Sequence, residues 1–466
     1  MDGVRLRPES RSSRALIGAA LVGGSLRLAW AVRATGSPPG RLSDPARYQQ
    51  IAQDFADGRT MALGSVPSAF WPPGYPLALT PPAWISEHTG AVSLPFAVSL
   101  LNVVAGTATI VLTGVLAAMW IGPRAGALAA WMMAVAPGPI VLTSVALSET
   151  LFSAVALLVL VLTTVAVRRR WPLRWVVAIG LLAGYAVLIR SPGMVLLAAP
   201  VLVALGSRGS WRAGLRPTVA LLAGAVVVLV PWTVRNGLEV GVWTPMSTNN
   251  VAFLCTGNGD GADGRYDDSA ATSARCYRGS PFDNPRLYRP DEIPPGVQLS
   301  QPDEARWYGS TARETAAWIV RHPFAQPRLV VNRLDATFGG EREALSDAEG
   351  FGERPLVGSR ARRAFPWLGG LWLWAVIVLA GVGLLTAGRC RRAVPIWGIA
   401  GLQVLLVLPG MGIERYHQPV VPLLAVLAAG ALARPRRVAP AAVAPRESPA
   451  AAGPVGRRRP DVASAR

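Results

Sequence analysis

The chain has 466 residues, 51% of them hydrophobic and 16% charged, with a net charge of +19. Soluble domains carry about 25% charged residues, so this composition excludes an ordinary soluble protein and points to a membrane-embedded one. All 46 basic residues are Arg, and they do not cluster with aromatics on one domain as a nucleic-acid surface requires.

Ten apolar stretches follow one another at 15–34, 94–120, 125–145, 150–167, 175–190, 193–206, 217–236, 367–387, 393–409 and 419–433. Most approach the ~20 residues that a helix needs to cross about 30 Å of hydrocarbon. They predict an all-α polytopic membrane protein with about 10 transmembrane helices, in a range of about 9–12. Residues 15–34 read as an uncleaved first helix, because Arg27 interrupts the run and no small-residue cleavage site follows.

With the N-terminus (1–14) in the cytoplasm, the cytoplasmic pieces 1–14, 122–126, 168–174, 206–216, 388–392 and 434–466 hold 23 Arg and four acids. That is the whole net charge, as the positive-inside rule demands, so both termini are expected in the cytoplasm of an inner-membrane protein. The bundle 15–236 then carries a first exterior loop, 35–92, with a juxtamembrane helix. Residues 237–365 form a larger exterior loop domain, 366–433 the C-terminal helices, and 434–466 a basic tail too poor in large apolar residues to fold.

Within the long segment, 244–250 and 257–261 are polar and turn-rich. Residues 303–335 read as helix broken at Pro323 and Pro327. Cys255 and Cys276 share this segment, where a disulfide persists; two free thiols are the alternative.

Chemistry concentrates at exterior span ends. Asp44, Arg47 and Tyr48 fall within about one helical turn, an arrangement that can activate an acceptor and grip a phosphate oxygen. Asp44 before Pro45 also reads as a helix cap. Phe70, Trp71, Pro72, Pro73, Gly74, Tyr75 and Pro76 form a stiff aromatic stretch, suited either to a substrate groove or to a rigid re-entry turn. Glu149, between two apolar spans, is a second acid for catalysis or a cap on the next helix. Arg190, Arg235 and Arg415, the last beside Tyr416 and His417, stand where positive charge is disfavoured. Together they suit an anion site; singly they suit snorkelling to head groups. Asn236 follows Arg235. No Cys/His spacing suggests zinc.

These motifs resemble, in order and sidedness, the GT-C class of integral-membrane glycosyltransferases. The likeness is to the branch with the lipid A aminoarabinose transferases, the protein O-mannosyltransferase-like proteins and the RgtA/B/C/D-like proteins. Asp44-x-x-Arg47-Tyr48 is similar to that branch's Asp-Glu-x-Arg-Tyr, with Pro45 replacing the second acid, and Phe70-Trp71 stands where aminoarabinose transferases have Glu-Lys. The resemblance covers 15–433. It implies an inverting transferase moving a sugar from a polyprenyl-phosphate carrier to a glycan, glycolipid or protein acceptor on the outer face of the membrane. Asp44 would be the base, with Glu149 the other catalytic acid. Arg47, Arg190, Arg235, Arg415 and His417 would bind donor phosphate; Tyr48, Trp71, Tyr75, Asn236 and Tyr416 would line the groove. Some relatives bind a divalent metal, and no persuasive ligand set for one is present here. The alternatives are a polyprenyl-pyrophosphate glycan polymerase or ligase, and a non-catalytic transporter or assembly partner.

Overall fold

A computed structural model describes residues 11–34, 43–63, 66–283, 303–350, 354–386 and 393–433, and helices dominate it. The tail 434–466, expected to be unfolded, lies outside the described residues. Helix α1 (Arg11–Ala34) leads to α2 (Asp44–Ala56), a ribbon of β1 (Ala62–Leu63) and β2 (Val66–Pro67), and α3 (Gly74–Thr89). Then come α4 (Leu94–Trp120), α5 (Pro123–Ala134), α6 (Pro137–Val141), α7 (Ser148–Arg169) and α8 (Leu173–Ile189). A 3-10 stretch, Ser191–Ala198, precedes α9 (Ala199–Arg208), and α10 (Arg212–Arg235) closes this half. The long segment holds α11 (Asn249–Thr256), α12 (Ala270–Cys276), α13 (Glu304–Arg321), α14 (Gln326–Phe338) and α15 (Glu343–Ala348). Helices α16 (Ser359–Thr386), α17 (Val394–Val407) and α18 (Val421–Leu432) end the bundle.

Among the described residues, six helical segments are long and apolar enough to cross a membrane, or seven if α5 and α6 count as one bent span. Helices α8, α17 and α18 are shorter and apolar. The protein is a multi-pass, all-α membrane protein.

The stretch expected as one span at 125–145 is instead broken, with a 58° bend between α5 and the segment 137–144. Pro137 and Pro139 lack N–H groups, so the carbonyls of Met133 and Val135 lose their helical donors. Arg27 answers this break. It is 1% exposed, and its guanidinium donates to Met133 O at 3.0 Å, Ala134 O at 3.3 Å and Gly23 O at 3.0 Å. An arginine within the apolar first helix thus caps a helix end that would otherwise hold bare carbonyls.

The long segment is tied internally and to the bundle. A Cys255–Cys276 disulfide joins α11 to α12. Fully buried Arg333 on α14 donates to Gly257 O at 2.7 Å, to Asn258 Oδ1 at 2.8 Å and to Leu408 O beyond α17. The expected break after Arg321 is present: α13 stops, Pro323 opens a 3-10 turn, and Pro327 enters the first turn of α14.

Candidate active site

Asp44 opens α2, but Ser43 is the residue flanking the helix. The Asp44 carboxylate turns away from the helix end: Oδ1 accepts from Trp71 Nε1 at 3.0 Å and Oδ2 from Arg415 Nη2 at 2.7 Å. Burial raises its pKa, yet Arg415, the Trp71 hydrogen bond and the more distant Arg190 outweigh this and hold it below the usual carboxylate value. Asp44 is therefore ionised and oriented.

Glu149 sits in the first turn of α7, where the helix dipole favours a carboxylate, and is 1% exposed. Its Oε1 lies 2.5 Å from Arg190 Nη1 and 3.9 Å from Arg415 Nε. Arg190 also donates to Ser148 Oγ at 3.0 Å and lies 5.5 Å from the Tyr416 ring centroid. Asp44, Arg415, Glu149 and Arg190 thus form one alternating chain of charge from four distant segments. Burial depresses the Arg415 pKa, but Asp44 and Glu149 more than restore it, so the guanidinium stays charged. Among the described residues, the buried Nε atoms of Arg190 and Arg415 find no hydrogen-bond acceptor.

Gly74 explains how the first loop reaches Arg190. A Cβ there would meet Ile189 N and Leu188 C at 2.5 Å, so only glycine lets α3 start against the end of α8. Tyr185 Oη donates to Gly74 O at 2.8 Å across the same contact.

Other expected site residues are placed differently. Arg47 is buried, and its Nη1 donates to Gln50 Oε1 at 2.6 Å along its own helix. Tyr48 and Tyr75 pack edge to face at 5.2 Å, and Trp71 lies among Phe70 and Phe282, so these rings are core rather than an open groove wall. Arg235 staples α10 to the ribbon through Ser68 O at 2.8 Å and Met61 O at 2.5 Å, and pairs with Glu239 at 2.8 Å. Asn236 donates to Thr244 O at 3.1 Å and is fully buried. His417 is fully buried: Nδ1 donates to Thr337 O at 2.7 Å, and Nε2 lies 2.9 Å from Glu341 Oε1. That pairing ties the turn 414–417 to the end of α14. Tyr416 faces Phe253 at 5.7 Å as well as Arg190.

Two acids not singled out from the sequence join the site. Burial pushes Glu343 up to about 7 and Asp347 up to about 6, with Arg415 opposing the rise in both. Asp347 feels Glu149 and Asp44 as well. Their spacing of four on α15, which puts both on one helix face, was the available signal.

A cavity of about 490 Å³ lies beside this group, lined by residues that include Tyr266, Arg342, Glu343, Trp367 and Glu414. A second, of about 330 Å³, is lined by Ser68, Glu239 and Glu304 among others and shares no residue with the first. Among the described residues, no group of three or more His, Cys, Asp or Glu is arranged to hold a metal ion. The Asp44 and Glu149 carboxylates already face guanidinium groups, so these residues do not fit a divalent cation.

No protein-family model matches the chain, and no curated protein matches it in sequence. Its fold is similar to that of the Archaeoglobus fulgidus oligosaccharyltransferase in the apo form, with a TM-score of 0.50 at 13% identity, over 90% of this chain and 50% of that one. The archaeal oligosaccharyltransferase AglB from Archaeoglobus fulgidus, in complex with an inhibitory peptide and a dolichol-phosphate, gives a TM-score of 0.50 at 17% identity over the same shares. A more distant likeness is to ArnT from Cupriavidus metallidurans bound to undecaprenyl phosphate, with a TM-score of 0.38 at 19% identity, over 89% and 77%. The chain spans about half the length of the oligosaccharyltransferase. At these identities the likeness is one of fold: the chain shares the helical membrane architecture of the archaeal oligosaccharyltransferase.

Proposed function

We propose that the protein is an inverting glycosyltransferase that moves a sugar from a polyprenyl-phosphate donor to an acceptor hydroxyl at the outer face of the cytoplasmic membrane. The observation that carries this reading is the Asp44–Arg415–Glu149–Arg190 chain, built at one end of a GT-C fold from residues far apart in sequence. The dolichol-phosphate held by the archaeal oligosaccharyltransferase supports a lipid phosphate as the donor's carrier.

In the proposed reaction, the acceptor oxygen attacks the sugar's anomeric carbon from the side opposite the phosphate. The bond from that carbon to the phosphate oxygen breaks, its electron pair leaves with the phosphate, and the configuration inverts. Asp44, ionised and fixed at both oxygens, takes the acceptor proton. Arg415 and Arg190 stabilise the departing phosphate, and their Nε donors, which have no hydrogen-bond acceptor among the described residues, are suited to its oxygens. Arg27, the intramembrane charge that a transporter would use, is engaged with the α5 carbonyls instead.

The convergence of Arg190 and Arg415 on Glu149 also suits a diphosphate, which favours the polyprenyl-pyrophosphate polymerase or ligase as the second reading. The test is transfer from radiolabelled polyprenyl-phosphate sugars to endogenous acceptors in membranes, comparing wild type with Asp44→Asn at equal expression. Loss of transfer in the variant supports the first reading. Undiminished transfer removes Asp44 from the chemistry, and absence of transfer from every donor in either form sinks the enzyme reading.

A further inference from the structure

We propose that the 490 Å³ cavity beside Arg415 is the acceptor site, and that it takes a sugar through the Trp367 ring and the Glu343 carboxylate. This rests on the glycosyl-transfer reading and deepens it by assigning the acceptor's class and place. The volume falls in the range of small-ligand sites, about 300–1,000 Å³.

Position comes first. Gly412, Ile413 and Glu414 form one wall and run directly into Arg415, which holds Asp44. Tyr266 forms another part of the lining, and its backbone N–H donates to Gly412 O at 3.0 Å. The Glu343 Oε2 accepts from the Arg415 backbone N–H at 3.4 Å, so this residue touches both the cavity and the reactive group. The lining residue Glu414 immediately precedes Arg415, the partner of the Asp44 carboxylate.

The lining chemistry then selects the class. Tyr266 and Trp367 are 48% and 81% exposed, while Arg265, Arg342, Asp335, Glu343 and Glu414 supply both signs of charge. A pyranose offers an apolar C–H face to an aromatic ring and a rim of hydroxyls that both donate and accept. A polyprenyl tail would find too many charges, and a second phosphate would meet four carboxylates, those of Asp335, Glu341, Glu343 and Glu414.

Most of the charged groups are already engaged. Asp335 pairs with Arg265 at 2.5 Å, and Glu414 Oε2 accepts from the backbone N–H groups of Arg342 and Glu343. Glu341 faces His417. Glu343 remains. Its pKa near 7 reflects burial first, with Arg415 opposing and Glu414 and Asp347 adding to it. Above that pH its carboxylate accepts from adjacent sugar hydroxyls; below it, one lone-pair set is lost to the proton.

The experiment uses the full chain purified in detergent, a radiolabelled polyprenyl-phosphate sugar as donor, and methyl glycosides of a hexose and a pentose as soluble acceptors. Acceptor KM and kcat are measured from pH 5.5 to 8.5 for wild type, Trp367→Ala and Glu343→Gln. Saturation-transfer NMR follows glycoside binding independently of turnover, and donor binding confirms that each variant is folded. Trp367→Ala should raise acceptor KM about tenfold, moving KM more than kcat, and weaken the NMR signal. Glu343→Gln should flatten the rise in acceptor affinity between pH 6 and 8. Unchanged KM, pH profile and NMR signal in both folded variants would overturn the assignment. If the glycoside signal disappears in Trp367→Ala while wild type transfers nothing, the cavity is upheld and the transfer reading is removed.

Discussion

Arg415 and Asp44 are 371 residues apart in the chain and form an ion pair at 2.7 Å. The pair closes the first loop onto the turn between α17 and α18. Arg415 also stands 3.9 Å from Glu149 on α7, so one guanidinium gathers the loop and two parts of the bundle.

Asp44→Asn keeps the shape of the side chain and one acceptor oxygen for Trp71 or Arg415. It removes the charge and the proton acceptor. Transfer in membranes is expected to fall by roughly 10²–10⁴-fold, while thermal unfolding of the detergent-purified variant shifts little by comparison.

Arg190→Met strands the Glu149 carboxylate, which is 1% exposed. Removing one partner of a buried pair costs about 3–5 kcal/mol, and the low end applies here because Arg415 remains within 3.9 Å. Adding Glu149→Leu should recover most of that stability. A thermal-unfolding cycle over the two singles and the double variant measures the coupling.

Glu343 gives a pH dependence whose sign is set by its raised pKa. The folded value is about 7 against 4.5 for the free side chain, so the folded state binds the proton more tightly. Its contribution to stability is full below pH 4.5 and is lost as pH rises through 7. Glu343→Gln mimics the protonated form. It should raise Tm relative to wild type at pH 8 and leave it nearly unchanged at pH 4.5, as read by thermal unfolding at the two values.

The disulfide closes a sequence separation of 21 residues. By loop entropy, its removal costs about 3 kcal/mol. Cys276→Ala, or reduction, should therefore speed proteolysis within 237–358 while leaving cleavage at the ends of α4 and α7 unchanged.

Since guanidinium groups neutralise Asp44 and Glu149, transfer activity should survive exhaustive EDTA treatment. A rate that falls with chelation and returns with Mn²⁺ or Mg²⁺ would contradict this account of the charge balance.

Much of the fold was legible because long apolar runs carry their own signal, and the expected stretches are helical save for the break within 125–145. The break at 135–136 was not, since Pro137 and Pro139 can sit in the first turn of a helix or interrupt one, and the Arg27 guanidinium that caps the freed carbonyls comes from another helix. Within the site, Asp44, Glu149, Arg190 and Arg415 were each visible as a charge at a span end, and the structure brings them together. Arg235, Asn236 and His417 looked equivalent to them. Arg235 pairs with Glu239 four residues on, a partner that local spacing allows, but the remaining bonds of the three go largely to loop backbone or to Glu341, partners that it cannot reveal. Glu343 and Asp347 escaped notice because a six-residue helix in a polar segment has no hydrophobic period to mark its inward face.

Arg27 also sets a problem of timing. The carbonyls that receive its guanidinium lie 106 and 107 residues downstream, and a ribosome adding about 5–20 residues per second delivers them only after roughly 5–20 s. Throughout that interval α1 must hold an ion in or near the insertion machinery with its own Gly23 carbonyl as the local partner. Its lodging in the bilayer is thus provisional until α5 arrives, so α1 is secured only by a helix made after it.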